Sequence, residues 1–99
     1  MISILLVVTY DVNVATAEGA RRLRQVAKAC ERYGARVQNS VFEVEVDAAR
    51  LAVLKAELAS IIDPQQDSVR FYRLGNSFAN KIDVMGKHPR VEAGGPLMF

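Results

Sequence analysis

The chain opens on an apolar run, Ile2 to Asp11 (ISILLVVTYD), that stops on a tyrosine and then a carboxylate. The run is too short and too β-branched to favour a helix, and neither glycine nor proline interrupts it. It reads as a buried β-strand. Ile4, Leu6 and Val8 alternate with Ser3, Leu5 and Val7, and nearly all of them are apolar. Both faces of the strand need cover, which puts it in the middle of a sheet. Asp11 is where the chain leaves that sheet. A carboxylate there is held by a rigid scaffold yet meets solvent, so Asp11 is the first candidate functional residue.

Further along, Thr16 stands where a helix N-cap is needed, with Glu18 in the first turn. Ala20, Leu23, Val26, Ala27, Cys30 and Tyr33 then recur at helical spacing, and Gly34 reads as the stop. The opposite face carries Arg21, Arg24, Lys28 and Arg32, with Arg22 at its margin. Such a line of cations is either a solvated helix face or a ridge that tracks phosphates. In Arg36 to Val46 (RVQNSVFEVEV), Phe42, Val44 and Val46 alternate with Glu43 and Glu45. Asn39-Ser40 reads as a tight hairpin turn, with one bulged strand as the alternative. Asp47 caps a second helix with the apolar face Leu51, Leu54, Leu58, Ile61 and Ile62, ended by Asp63-Pro64. Gln65, Gln66 and Asp67 form a loop, Ser68 to Leu74 a strand, and Gly75-Asn76 a turn. Lys81 to Met85 predicts one more short strand, and a Gly- and Pro-rich tail follows.

The order strand, helix, strand, strand, helix, strand predicts an α+β, ferredoxin-like βαββαβ sandwich with an extra C-terminal strand. The expected division is a ferredoxin-like domain over residues 1–75, then a strand and tail over 76–99 that pack on a partner subunit. Two helices cover one side of such a sheet only. Leaving the other side of the first strand in water forfeits on the order of 1.5–3 kcal/mol per large apolar side chain. A homodimer closed over that side is the expected solution.

At 99 residues the chain is one domain, and its 51% hydrophobic and 24% charged residues are an ordinary globular balance. The net charge of +2 does not by itself declare a nucleic-acid binder, so the case rests on where the cations stand. The single cysteine, Cys30, excludes an intramolecular disulfide and a Cys-based zinc site, and it falls on the apolar helix face as an inert thiol. The first stretch has no basic leader and is too short to span a bilayer, so a cytoplasmic protein without membrane contact is expected. The one histidine, His88, lies beside Pro89 outside any ligand spacing.

Three stretches carry a resemblance: Thr9-Tyr10-Asp11 closing the first strand, RRLRQVAKACERYG on the first helix, and Arg36-Val37-Gln38 followed by Ser40-Val41-Phe42-Glu43. Together with DSVRFYRLG from Asp67 to Gly75, their order and spacing resemble the small CRISPR-associated nuclease family. This is the second of the two near-universal proteins of spacer acquisition, and the helix wording is similar to its type I-C branch. Asn39 stands where the family usually has an aromatic residue. The resemblance implies a ferredoxin-like homodimer that bridges dimers of the CRISPR integrase and holds duplex DNA. It further implies a magnesium- or manganese-dependent endonuclease acting on double-stranded DNA or single-stranded RNA. The family's metal-binding aspartate corresponds to Asp11, and its arginine, serine and phenylalanine to Arg36, Ser40 and Phe42, the implied catalytic set. Nucleic-acid contacts are expected from Arg21, Arg22, Arg24, Lys28, Arg32 and Arg36.

The chemistry narrows these expectations. Metal-assisted phosphodiester hydrolysis needs a hard cation held by oxygen ligands, and one carboxylate makes a poor magnesium site. Two-fold symmetry that brings two Asp11 side chains together would supply a second. The bland alternative is that Asp11 caps its own turn. Phe42 has the strand parity of a core residue, and Tyr10 and Tyr72 read as packing residues. Two other functions compete with the adaptation protein: a ribonuclease toxin of related fold, and a ferredoxin-like dimer that binds a small regulatory metabolite.

Overall fold

The computed structural model describes residues 2–75 and 81–86. Six elements run in order: β1 (Ile4–Asp11), α1 (Ala17–Glu31), β2 (Gly34–Gln38), β3 (Val41–Val46), α2 (Ala48–Ile61) and β4 (Ser68–Gly75). The sheet order is β2-β3-β1-β4 with every pairing antiparallel, the ferredoxin-like arrangement. The apolar opening run is thus a central strand. Among the described residues, no helix is long and apolar enough to cross a membrane.

Strand parity decides what each side chain meets. Leu6, Val8 and Tyr10 of β1 join Phe42, Val44 and Val46 of β3 beneath the two helices. Val26, Ala27, Ala29 and Cys30 of α1 and Leu51, Leu54 and Leu58 of α2 close this core from above. Each large side chain buried here stabilises the fold by about 1.5–3 kcal/mol. Burial pushes the Cys30 thiol up to about 11, which keeps it protonated and inert.

Both helix starts are capped by the expected residues. Thr16 Oγ1 accepts from the Gly19 amide at 3.1 Å, and Asp47 Oδ1 accepts from the Arg50 amide at 2.8 Å. Such caps contribute about 1 kcal/mol each. Asn39 and Ser40 form the turn between β2 and β3, and a register shift between Arg36 and Gln38 adds a bulge to the hairpin.

Two expectations are corrected. Gly34 does not stop α1, which ends at Glu31 with Arg32 as its cap; Gly34 is the first residue of β2. A Cβ there would lie 2.1 Å from the Glu43 carbonyl oxygen, so close strand approach is what requires glycine. Lys81 to Met85 is not a strand in this chain: residues 82–85 have no regular structure, and Met85 is 94% exposed. A strand needs a ladder neighbour, and among the described residues this segment pairs with none. Asn76, His88 and the tail from residue 87 lie outside the described residues.

Candidate nucleic-acid and metal site

Asp11 closes β1 opposite Ser68 of β4. Parity sends it to the face the helices leave bare, in line with Val7 and Thr9, and it is exposed. Its carboxylate makes no hydrogen bond or ion pair among the described residues, so it does not cap its own turn. Ser40 is brought to the same end of the sheet, where its carbonyl accepts from the Tyr10 amide at 3.1 Å.

The carboxylate that holds the turn is Asp67, in the loop between α2 and β4. It is the one buried charged residue among those described. Its Oδ1 accepts from the Asn13 amide at 3.0 Å, and its Oδ2 from the Asp63 amide at 2.9 Å. Arg22 completes the set with a fork, Nε to Oδ2 at 2.7 Å and one terminal nitrogen to Oδ1 at 3.3 Å. The Arg22 guanidinium holds the Asp67 carboxyl below the usual carboxylate range; burial opposes this, and the two amides assist it. The sequence signal was Arg22 itself, which stands off the line of the other helix cations.

The cations of α1 fall into two groups. Arg22 belongs to Asp67. Arg32, just past the helix, forks onto Glu57 of α2, with one arm at 2.8 Å, and lowers the Glu57 pKa. Arg21, Arg24 and Lys28 are exposed and make no ion pair among the described residues. They line an open groove of about 420 Å³ together with Glu31 and Arg36. Arg36 reaches this groove because it pairs with Phe42 across the hairpin and lies on the helix-covered side. Its guanidinium sits 5.3 Å from the Phe42 ring centroid and 3.5 Å from a Glu31 oxygen.

Phe42 is fully buried, its ring 6.1 Å from that of Tyr10. It cannot stack on a base. Tyr10 donates to the Asn39 carbonyl at 3.3 Å, and burial raises its pKa despite the nearby Arg36. The nine residues expected to bind or act are therefore not one cluster. Asp11 and Ser40 share one end of the sheet, while Arg36 and the exposed cations of α1 share the groove on the helix side.

Whether these residues fit a divalent cation can be judged from the donors. No three His, Cys, Asp or Glu side chains converge among the described residues. One chain offers Asp11 alone, a single oxygen-donating side chain of the right hardness. Two copies with their bare faces opposed would offer two.

On the bare face, the row through the middle of the sheet is Ala35, Glu43, Val7 and Tyr72. Glu43 is half-buried, one of its oxygens has no partner among the described residues, and desolvation raises its pKa. Leu5, on this face by parity, is only 3% exposed within one chain. Val7 is the better probe of what covers it.

Comparison with known proteins gives a consistent result. The family profile described as "CRISPR associated protein Cas2" matches residues 4–82. A protein of Rhodospirillum rubrum named CRISPR-associated endoribonuclease Cas2 3 is 57% identical over 96% of this chain and 100% of its own length. A protein of Halalkalibacterium halodurans named CRISPR-associated endonuclease Cas2 is 50% identical over 96% of this chain and 99% of its own. The crystal structure of Streptococcus pyogenes Cas2 at pH 6.5 superimposes with a TM-score of 0.76 at 49% identity, covering 83% of this chain and 99% of that one.

Proposed function

Because the chain belongs to the CRISPR-associated Cas2 family, we propose that it acts in spacer acquisition as a homodimer that binds duplex DNA and bridges integrase dimers. We further assign it divalent-metal-assisted phosphodiester hydrolysis centred on Asp11. One observation carries the site: at one end of the sheet Asp67 takes the structural hydrogen bonds, and Asp11 beside it is left for a ligand. Family membership separates the chain from a metabolite-binding regulator. The residues 76–99, in this reading, pack on the partner subunit, and the type I-C-like wording of α1 names the branch.

Opposed bare faces bring two Asp11 carboxylates to a shared, hydrated site suited to magnesium or manganese. A cation there supplies acidification of water and positive charge for the phosphate. The chain's own residues do the rest. Arg21, Arg24 and Lys28 track phosphates along α1, and Arg36 extends the line. Phe42 props the Arg36 guanidinium and touches no substrate. Ser40 offers a hydroxyl donor at the Asp11 end. Arg22 and Arg32, engaged by carboxylates, act through those partners and not on phosphate.

The test is Asp11→Asn, assayed on single-stranded RNA and duplex DNA with magnesium or manganese. Cleavage should be abolished while duplex binding and the dimer persist, since the amide keeps the side chain's shape. Cleavage at the wild-type rate would move the metal and the chemistry elsewhere on the chain. Capture of the integrase together with duplex DNA tests the bridging role separately.

A further inference from the structure

We infer that Asp67 and Arg22 form a positioning clamp for Asp11, an inference that rests on reading Asp11 as a metal ligand. The Asp67 side chain is fully inaccessible, and it holds the chain just after Asp11. Two residues along β1's exit, its Oδ1 holds the Asn13 amide at 3.0 Å, and the Arg22 terminal nitrogen that it orients reaches the Asn13 carbonyl at 3.5 Å. Both backbone polar groups of Asn13 are thus engaged by one ion pair. Across the ladder, Asp67 directly precedes Ser68, the residue opposite Asp11. A third hold comes from the Asp63 amide at 2.9 Å, which ties in the end of α2.

A buried ion pair is a costly way to gain stability, because desolvation cancels much of its attraction and apolar substitutes often serve as well. What it supplies here is direction. Four donors converge on two oxygens from three segments, so the exit of β1 and the entry of β4 keep one relative position. Asp11 lies beside these fixed points with its carboxylate unengaged among the described residues. That is the arrangement of a ligand whose backbone is set by a neighbour that never touches the cation.

The experiment measures Mn2+ binding directly, by the electron paramagnetic resonance signal of the free aqua ion, on the full-length protein. Wild type is compared with Asp67→Asn, Arg22→Lys and Asp11→Asn. Amide hydrogen exchange at Val12 and Asn13 is followed in parallel, and each variant is checked for cooperative unfolding. Asp67→Asn should weaken Mn2+ binding by about tenfold and speed exchange at Asn13. Arg22→Lys, which keeps the charge but loses the fork, should show both effects more weakly. It is also the working variant if Asp67→Asn does not fold. Asp11→Asn should lose Mn2+ binding with exchange unchanged. Folded clamp variants with wild-type Mn2+ affinity, beside an Asp11→Asn protein that has lost it, would overturn the clamp alone. Wild-type Mn2+ affinity in Asp11→Asn would overturn the metal-ligand reading, and the clamp's purpose with it.

Discussion

The two faces of the sheet are built from the same strands and the same alternation, yet they reach opposite ends. On the covered face, Leu6, Val8, Phe42 and Val44 are wholly buried by groups of their own chain. On the bare face, Val7, Thr9 and Val41 are half-buried and Tyr72 is 47% exposed. Glu43 has a desolvated oxygen with no partner there among the described residues. Period-2 patterning assigns each side chain to a face, but among the described residues only one face is covered by helices of the same chain. Stability should therefore be concentrated on the first face and recognition on the second.

The largest effect expected is from Phe42→Ala, which removes the biggest fully buried side chain and should cost about 3–5 kcal/mol in urea unfolding. Next comes Val7→Lys on the bare face. It should leave the monomer folded but break the proposed dimer at micromolar concentration, read by sedimentation. If Val7→Lys unfolds the chain as Phe42→Ala does, the division between the faces fails. Smaller, and opposite in sign, is the contrast of two carboxylates with pH. Glu43 has a raised folded pKa, so its favourable contribution is present in acid and is lost as pH rises through that value. Asp67 has a lowered one, so its contribution is present at neutral pH and is lost as pH falls through its folded pKa. Thermal melts from pH 3 to 8 should show Glu43→Gln gaining on wild type as pH rises, and Asp67→Asn losing. The smallest stability effect belongs to charge-neutral replacement of Arg21, Arg24 and Lys28, within about 0.5 kcal/mol. The same variant should flatten the salt dependence of duplex binding by roughly one unit of slope per lost phosphate contact. An unchanged slope would return the groove to a solvated helix face.

Local chemistry made much of the fold legible. β1 was readable from its unbroken apolar run, both helix starts from Thr16 and Asp47, and the hairpin from Asn39-Ser40, because each signal lies within a few residues of what it controls. The failures share the opposite property. Gly34 resembles a helix stop in sequence, but its requirement comes from the Glu43 carbonyl across the hairpin. Asp67 resembles a loop residue, but its partner Arg22 is 45 residues away. Ile82 and Val84 alternate as strand residues do, yet alternation specifies a face and does not provide a neighbouring strand. At the candidate site, Asp11 was legible because it ends a strand. The separation of Arg36 from it was not, since that depends on which side of the hairpin each faces.

One contact has a mechanical consequence. Gly19 opens α1 so close to the loop after β1 that an added Cβ would lie 1.9 Å from the Asn13 carbonyl oxygen. Asn13 is thereby wedged between the helix and the Asp67–Arg22 pair, which ties the exit of β1 to the start of α1. The offset between Asp11 and the cations further along α1 is a fixed gauge. On the proposed reading, a nucleic acid that engages both would have to adjust its own curvature to that gauge, and discrimination among ligands would fall to the bending stiffness of the strand or duplex presented.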